Sequence, residues 1–366
     1  MTRTANFLKT NRIVLTLFLL MSLVLPLVAD NSHPNEYHVR NLVSDGSVKA
    51  DHTDPNLING WGVASSPTSV VWVAANGTGK ATLFDGQGNP QTLVVTVPSA
   101  AGGETPGKPT GMVFNNLGDF AVQRVGVTPA SSVFLFASED GTISGWAPSV
   151  DPTNAILAVN NSASEAIYKG LAQATNGEGK FLYATDFHNN KIDVFDSNFK
   201  QVTLSGSFQD HGIPKGFAPF GIQNLNGNLY VTYAKQDEAA EDNVSGVGLG
   251  FVDIFDANGN LIRRVASGGA LNAPWGMAIA PADFGVFSNR LLIGNFGDGL
   301  INAFDVATGE FLGQLDDDNG KPIMIDGLWG MIFGNGLHGQ PTNVLFFAAG
   351  PNDESGGLYG RIENAK

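Results

Sequence analysis

The sequence predicts an all-β, six-bladed propeller of four-stranded blades, and three observations carry that prediction. A short glycine-centred motif recurs six times at nearly even spacing. Each copy is followed by apolar runs of strand length rich in aromatic and β-branched residues. The sixth copy runs out of chain one strand short, and a spare strand stands ahead of the first copy. Repeats of roughly 50 residues with four strands each are the mark of propeller blades.

The motif is Trp61-Gly62-Val63, Thr110-Gly111-Met112, Lys169-Gly170-Leu171, Phe220-Gly221-Ile222, Trp275-Gly276-Met277 and Trp329-Gly330-Met331, with glycine spacings of 49, 59, 51, 55 and 54. A glycine there either lets a neighbouring backbone approach or adopts an unusual backbone angle. The tryptophans beside it read as packing between blades rather than as a sugar-stacking platform. Second strands follow as VVWVAA from Val70, VFLFAS from Val133, FLYATD from Phe181, LYVTYA from Leu229, LLIGNF from Leu291 and VLFFAAG from Val344. They are apolar on both faces, as sheets stacked face to face require, where a simple sandwich would alternate more cleanly.

Third strands close on Phe84-Asp85, Phe195-Asp196, Phe255-Asp256 and Phe304-Asp305, the Asp opening a turn. Fourth strands are expected at Thr92–Val97, Ala155–Val159, Gln201–Phe208, Leu261–Ala266 and Phe311–Leu315. The last unit, ending on Leu358–Ile362, would borrow Tyr37–Val43 as its outer strand, which closes the ring and removes an exposed edge.

The composition fits such a fold and sets its surroundings. Among 366 residues there are 46 Gly, 24 Phe and no Cys, which excludes a disulfide scaffold, thiolate metal sites and cysteine nucleophiles. Met1 to Arg12 is basic and polar, and Ile13 to Ala29 follows as 17 uncharged residues interrupted by Pro26. This is the layout of a secretory signal, expected over residues 1–29, with the propeller as a single domain over 30–366. An uncleaved anchor is the competing reading, but the run is short of the ~20 apolar residues a span needs. The expected location is therefore periplasmic or extracellular, with no stable membrane span after signal removal. Lys and Arg number 20 against 34 Asp and Glu, a net charge of −14. That field repels phosphate backbones, so nucleic acid is not an expected partner, and an extracytoplasmic protein or glycan is.

Five segments carry a family resemblance: DPNLINGWGVA (Asp54–Ala64), ATDFHNNKIDVFD (Ala184–Asp196), LNAPWGMAIAP (Leu271–Pro281), LLIGNFGDGLINAFD (Leu291–Asp305) and IDGLWGMIFGNG (Ile325–Gly336). They resemble an uncharacterised family of exported bacterial propeller proteins, some with a Pro-Glu-Pro type sorting tail. The chain ends in GRIENAK, so that tail is not implied here. More distantly the fold is similar to NHL-type and gluconolactonase-like six-bladed propellers. The resemblance implies an architecture and no activity.

Chemistry is expected on the face where the loops leading into each blade meet those joining second and third strands. Asn59, Asp186, Asn295, Asp326 and Asn352 are the candidate ligands of a central Ca²⁺-type site, since hard cations take oxygen donors of this kind. The alternative is that these residues make turns and stay solvated. His52, His188, His211 and Asp298 are further candidates at the channel mouth, the histidines for a transition metal or a general base. His338 is expected on the opposite face. Asp316–Asn319 is not an EF-hand, because Gly320 comes one position early and the twelfth-position Glu is absent. Gly334 to Gly339 matches a dinucleotide string, but Pro341 interrupts what should be a helix. The leading functional expectation is a binding or interaction scaffold for a protein, glycan or surface polymer. The alternative is a metal-assisted hydrolase of lactones or related esters, with Asp186 as base. The acidic insertion Lys235–Gly248 is expected to be dispensable for folding.

Overall fold

The computed structural model describes residues 1–2 and 35–365, so the expected signal segment lies, but for its first two residues, outside the described part. Six small antiparallel sheets form six blades. From the axis outward, blade one is Gly60–Ala64, Val71–Ala75, Lys80–Phe84 and Val95–Thr96. Blade two is Pro109–Phe114, Phe134–Ser138, Thr142–Trp146 and Ile156–Asn160, and blade three is Tyr168–Thr175, Lys180–Asp186, Lys191–Asp196 and Gln201–Val202. Blade four is Phe217–Leu225, Asn228–Gln236, Gly250–Phe255 and Leu261–Ser267, and blade five is Pro274–Ile279, Leu291–Asn295, Ile301–Phe304 and Phe311–Gln314. Blade six is Leu328–Phe333, Leu345–Ala349, Leu358–Asn364 and, from the other end of the chain, Tyr37–Ser44.

The closing pair runs antiparallel from Tyr37 opposite Asn364 to Ser44 opposite Leu358, with one bulge between Asn41 and Val43. Tyr37 is buried there, and its hydroxyl donates to the carbonyl of Phe284 at 2.8 Å. Without this strand, the backbone of Leu358–Asn364 would lie open for pairing with another chain. A chain begun after Ser44 is expected to self-associate and to lose its cooperative melt. Size exclusion and thermal unfolding read both, and a monomer melting within about 2 °C of the intact chain would rule the closure out as a source of stability.

The double-sided apolar strands are explained by where their faces go. In blade one, Val71 and Val73 pack toward blade six with Phe346 and Tyr359, while Trp72 and Ala74 pack toward blade two with Phe134 and Phe136. In blade two the alternate residues, Leu135 and Ala137, turn toward blade three with Leu182 and Ala184. Period-two alternation therefore serves two cores instead of one core and solvent. The Phe-Asp corners also follow the expectation. Asp85 accepts the backbone N–H of Gln87 and Asn89, and Asp256 those of Asn258 and Asn260. Burial opposes ionisation of both carboxyls, but the Asn89 or Asn260 side-chain amide and these backbone donors outweigh it and hold them below the ordinary aspartate range.

Of the two roles open to the motif glycines, the structure selects close approach; none of the six has a positive φ. A Cβ on Gly62 would sit 2.4 Å from the carbonyl oxygen of Thr110, on Gly111 2.3 Å from the nitrogen of Leu171, and on Gly276 2.3 Å from the oxygen of Trp329. On Gly330 it would meet the oxygen of Trp61 at 2.5 Å, which returns the series to blade one. The glycines are thus the contacts by which each inner strand lies against the next.

Two features depart from the sequence reading. The outer strands of blades one and three are two residues long, because the chain leaves the sheet early. The loop between the first two strands of blade two holds a small hairpin, Ala121–Val122 with Ala130–Ser131, and its Phe120 packs edge-on to Phe199 of blade three.

Candidate functional site

The axis is filled, toward the face that receives the loops between second and third strands, by an aromatic plug. Trp61 and Trp329 stack with ring centroids 3.6 Å apart, and Trp275 meets both edge-on. Phe296 stacks on Trp329 at 4.1 Å, and Phe220 and Phe187 complete the cluster. These are the residues before four of the six motif glycines, Trp61, Phe220, Trp275 and Trp329, together with the residue after two of the second strands, Phe187 and Phe296. The packing role read for the tryptophans agrees with this.

One motif position breaks the pattern. Where the other repeats place Trp, Thr or Phe, blade three places Lys169, whose side chain is 2% exposed. Its ammonium lies 5.2 Å from the Trp61 ring centroid and 6.0 Å from that of Phe187. It donates to Glu139 at 2.5 Å and to Asp242 at 3.0 Å. Burial disfavours the charged lysine, but the two carboxylates outweigh it and hold its pKa above the ordinary value. Glu139 also accepts from the amide of Asn76 at 2.9 Å. Across the mouth, Glu354 accepts from the amide of Asn59 at 2.9 Å. Burial, with the Glu139 charge adding to it, pushes Glu354 up to about 7, while Asn59 and Lys169 pull the other way.

The backbone holding this group is unusual. Asn352, Asp353 and Glu354 are three successive non-glycine residues at φ 58, 52 and 63, and Asn59 is at φ 50. Left-handed geometry costs an L-residue about 1–2 kcal/mol, and such strain concentrates where a side chain must be aimed.

The sequence-selected residues are distributed differently from their expected convergence. Asn59 is at the mouth, bound to Glu354. Asp186 is turned into blade three, accepting from the backbone of Ile167 and the side chain of Asn189. Asn295 donates to Ala270 and to Asp298, and Asp298 also accepts from Asn272, all within blade five and the loop leading into it. Asp326 accepts the backbone N–H of Asn352. The structure thus joins Asp326 to Asn352 and Asn295 to Asp298, while Asn59 and Asp186 belong to separate networks. His52 lies on a two-residue strand, His52–Thr53, that pairs in parallel with the outer edge of Tyr37–Ser44 in blade six, His188 is 3.8 Å from Glu165, and His211 is exposed in the loop before blade four. Among the described residues no three His, Asp or Glu are grouped to hold a metal ion. His338 lies in the loop after the inner strand of blade six, on the opposite face as expected, against the carbonyl of Thr68.

Lys169 was not among the residues selected from the sequence, and the strand register accounts for where the selected ones lie. Asp186 and Asn295 close their strands, and the next residues, Phe187 and Phe296, reach the axis. The equivalent residues of blades one and two are Asn76 and Glu139. A one-residue step along an extended chain reverses a side chain's direction. The available signal was the single cation at position 169 in a column of otherwise uncharged motif residues.

No family model matches the chain. An uncharacterised protein of Acanthamoeba polyphaga mimivirus is 36% identical over 333 residues, covering 89% of this chain and 80% of the relative. The chain belongs to its family. A second uncharacterised mimivirus protein of this family is 33% identical over 89% of the chain and 85% of its own length. These relatives are viral, so the bacterial membership and sorting tail in the resemblance gain no support. Among solved structures, the soluble aldose sugar dehydrogenase of Escherichia coli is similar with a TM-score of 0.50 at 13% identity, over 89% of this chain and 99% of that one. Virginiamycin B lyase of Staphylococcus aureus gives 0.43 at 12%, over 90% and 100%, and a gluconolactonase of Xanthomonas campestris 0.39 at 14%, over 63% and 81%. At 13% identity the likeness to the sugar dehydrogenase extends to the fold alone.

Proposed function

We propose that this family member is a binding propeller whose axial mouth captures the cationic end of a partner, an exposed arginine or lysine side chain of a basic protein segment outside the cytoplasm. The observation that carries this reading is the imbalance at the mouth. Three carboxylates, Glu139, Asp242 and Glu354, surround one ammonium; Lys169 serves the first two, and Glu354 is left with the amide of Asn59. The acidic segment that supplies Asp242 also presents Asp237, Glu238 and Glu241. A chain of net charge −14 attracts a basic segment at long range.

A cation arriving at Glu354 binds its ionised form. With Glu354 raised to about 7, affinity for a hexa-arginine peptide is expected to rise about tenfold between pH 6 and pH 8, since the ionised fraction rises by that factor. Arginine does not titrate in this window. Glu354→Gln is expected to weaken binding and flatten the pH profile, measured by fluorescence anisotropy. A wild-type profile that is flat, or equal binding of a hexa-glutamate peptide, would overturn the proposal.

A second reading rests on the same carboxyl. A group titrating near 7 in a polar mouth suits general acid–base work, as hydrolysis of a lactone requires. Turnover of a lactone that disappears in Glu354→Gln, with a melting temperature raised by Ca²⁺ and lowered by EDTA, would favour that reading over the first.

A further inference from the structure

Within the acidic insertion, Asn243-Val244-Ser245 is an Asn-x-Ser triplet without proline at its middle position, the pattern that N-linked oligosaccharide transfer requires. Asn76-Gly77-Thr78 and Asn160-Asn161-Ser162 share the pattern. The fold treats the three asparagines differently. Asn76 is 8% exposed, and its amide nitrogen donates to Glu139 at 2.9 Å. The amide nitrogen of Asn160 donates to the carbonyl of Ala100 at 2.9 Å. That of Asn243 donates, at 3.3 Å, to the hydroxyl of Ser245 in its own triplet. Among the described residues, its side chain has no other hydrogen bond, so the rest of the fold does not use it.

The backbone presents this asparagine at an edge. Asn243 and Val244 pair with Gln236 and Lys235 at the end of the second strand of blade four, and among the described residues they pair with no other strand. The turn between closes on Asp237, which accepts the N–H of Ala240 through its carbonyl and that of Glu241 through its carboxylate. Asn243 is half-buried, and Glu241, Asp242, Val244 and Ser245 are exposed. Exposed loop tips of this kind are where another protein can seat the chain. Glu241 adds a carboxylate two residues ahead of the acceptor, where Asn76 and Asn160 have Ala74 and Ala158. A carboxylate at that place can pair with a basic group of a modifying enzyme.

We propose that Asn243 is an N-glycosylation site, modified outside the cytoplasm by a transferase that uses a lipid-pyrophosphate-linked oligosaccharide. The Asn243 amide nitrogen attacks the anomeric carbon of the first sugar. The Nδ2–C1 bond forms and the bond from C1 to the pyrophosphate oxygen breaks. The lipid pyrophosphate leaves with the electron pair, and the amide gives one proton to a carboxylate of the transferase. Transfer to the folded chain selects Asn243, because the amides of Asn76 and Asn160 are held elsewhere. The glycan projects from the arm beside Asp242, which reaches Lys169 at the axis. The site rests on the export expected from residues 1–29 and not on the function assigned to the mouth.

Two measurements test the proposal. One is glycopeptide mass spectrometry of the protein recovered from its native source. The other is transfer in vitro to the purified, folded chain from membranes that carry an N-oligosaccharyltransferase and its lipid-linked glycan. Both are expected to find an oligosaccharide on Asn243 and none on Asn76. In vitro, Ser245→Thr is expected to keep transfer, and Ser245→Ala to lower it about tenfold, the worth of one lost hydrogen bond. Asn243→Gln is expected to abolish transfer while melting within about 2 °C of the wild type. An unmodified Asn243 in the native protein, an oligosaccharide on Asn76, or transfer that survives Asn243→Gln would each overturn it. If the native protein is unmodified, the in vitro assay, which needs no export, tells a chain that stays in the cytoplasm from an asparagine that is no acceptor.

Discussion

Replacing Gly221 by Ala is expected to destabilise the protein by at least about 3 kcal/mol, the upper part of the range for overpacking. The added methyl would stand 2.3 Å from the carbonyl oxygen of Trp275 in the next blade. That atom belongs to the backbone of an inner strand, which cannot rotate aside as a flexible side chain would. Relief requires the two blades to separate, and a closed ring passes the displacement to every other interface. Gly118→Ala is the control. Gly118 has φ +77 and nothing within 4 Å of the added carbon, so only the backbone preference is lost, about 1–2 kcal/mol. Urea denaturation of the two variants measures the difference. Equal midpoints would show that the inner strands are held by something other than close backbone approach.

Breaking the buried ion pair at the mouth is expected to cost nearly as much. Glu139→Gln leaves the Lys169 ammonium, 2% exposed, facing only Asp242, whose side chain is 75% exposed. Removing one partner of a buried pair typically costs about 3–5 kcal/mol, and the remaining contact to Asp242 places this variant near about 3. Asp242→Asn should cost less than about 1 kcal/mol, because that carboxylate is largely solvated. Adding Lys169→Met to Glu139→Gln should recover part of the loss, with a coupling of about 2 kcal/mol in the double-mutant cycle. Additive effects would mean that Lys169 and Glu139 do not depend on each other. The Asn243–Val244 part of the acidic insertion pairs with the end of the second strand of blade four, and its Asp242 reaches the axial lysine, so the insertion is an arm over the mouth as well as an acidic surface loop.

The pH dependence of stability near the mouth has a definite sign. Glu354 is raised to about 7 in the folded chain against an ordinary 4.5, so the folded state holds a proton that the unfolded state has lost. Its contribution is therefore complete below about pH 4.5 and is lost as pH rises through about 7. Asp253 is raised to about 6 by burial, opposed by Arg264, and acts in the same direction at lower pH.

Blade number, strand order and closure by the first strand were legible in the sequence because each depends on local, repeated features. Period-two apolar runs, aspartate turns and a motif glycine recur in every unit, and any one copy supports the others. The axial chemistry was not legible in the same way. Asp186 and Asn295 looked right by residue type, but they lie one position from the axis and are absorbed by their own turns. Glu354 gains its raised pKa from burial and from Glu139, which is distant in sequence.

By itself, then, the sequence determined the six-fold repeat, the sharing of the last blade between both chain ends and the excess of negative charge, since these follow from composition and periodicity. Only the tertiary structure decided which side chains reach the axis, that one lysine among aromatic rings gathers carboxylates from blades two and four, and that the opposite end of the channel is lined by no charged side chain among the described residues. Those properties arise where six strands converge, and convergence sets distances and burial between residues that no local pattern relates.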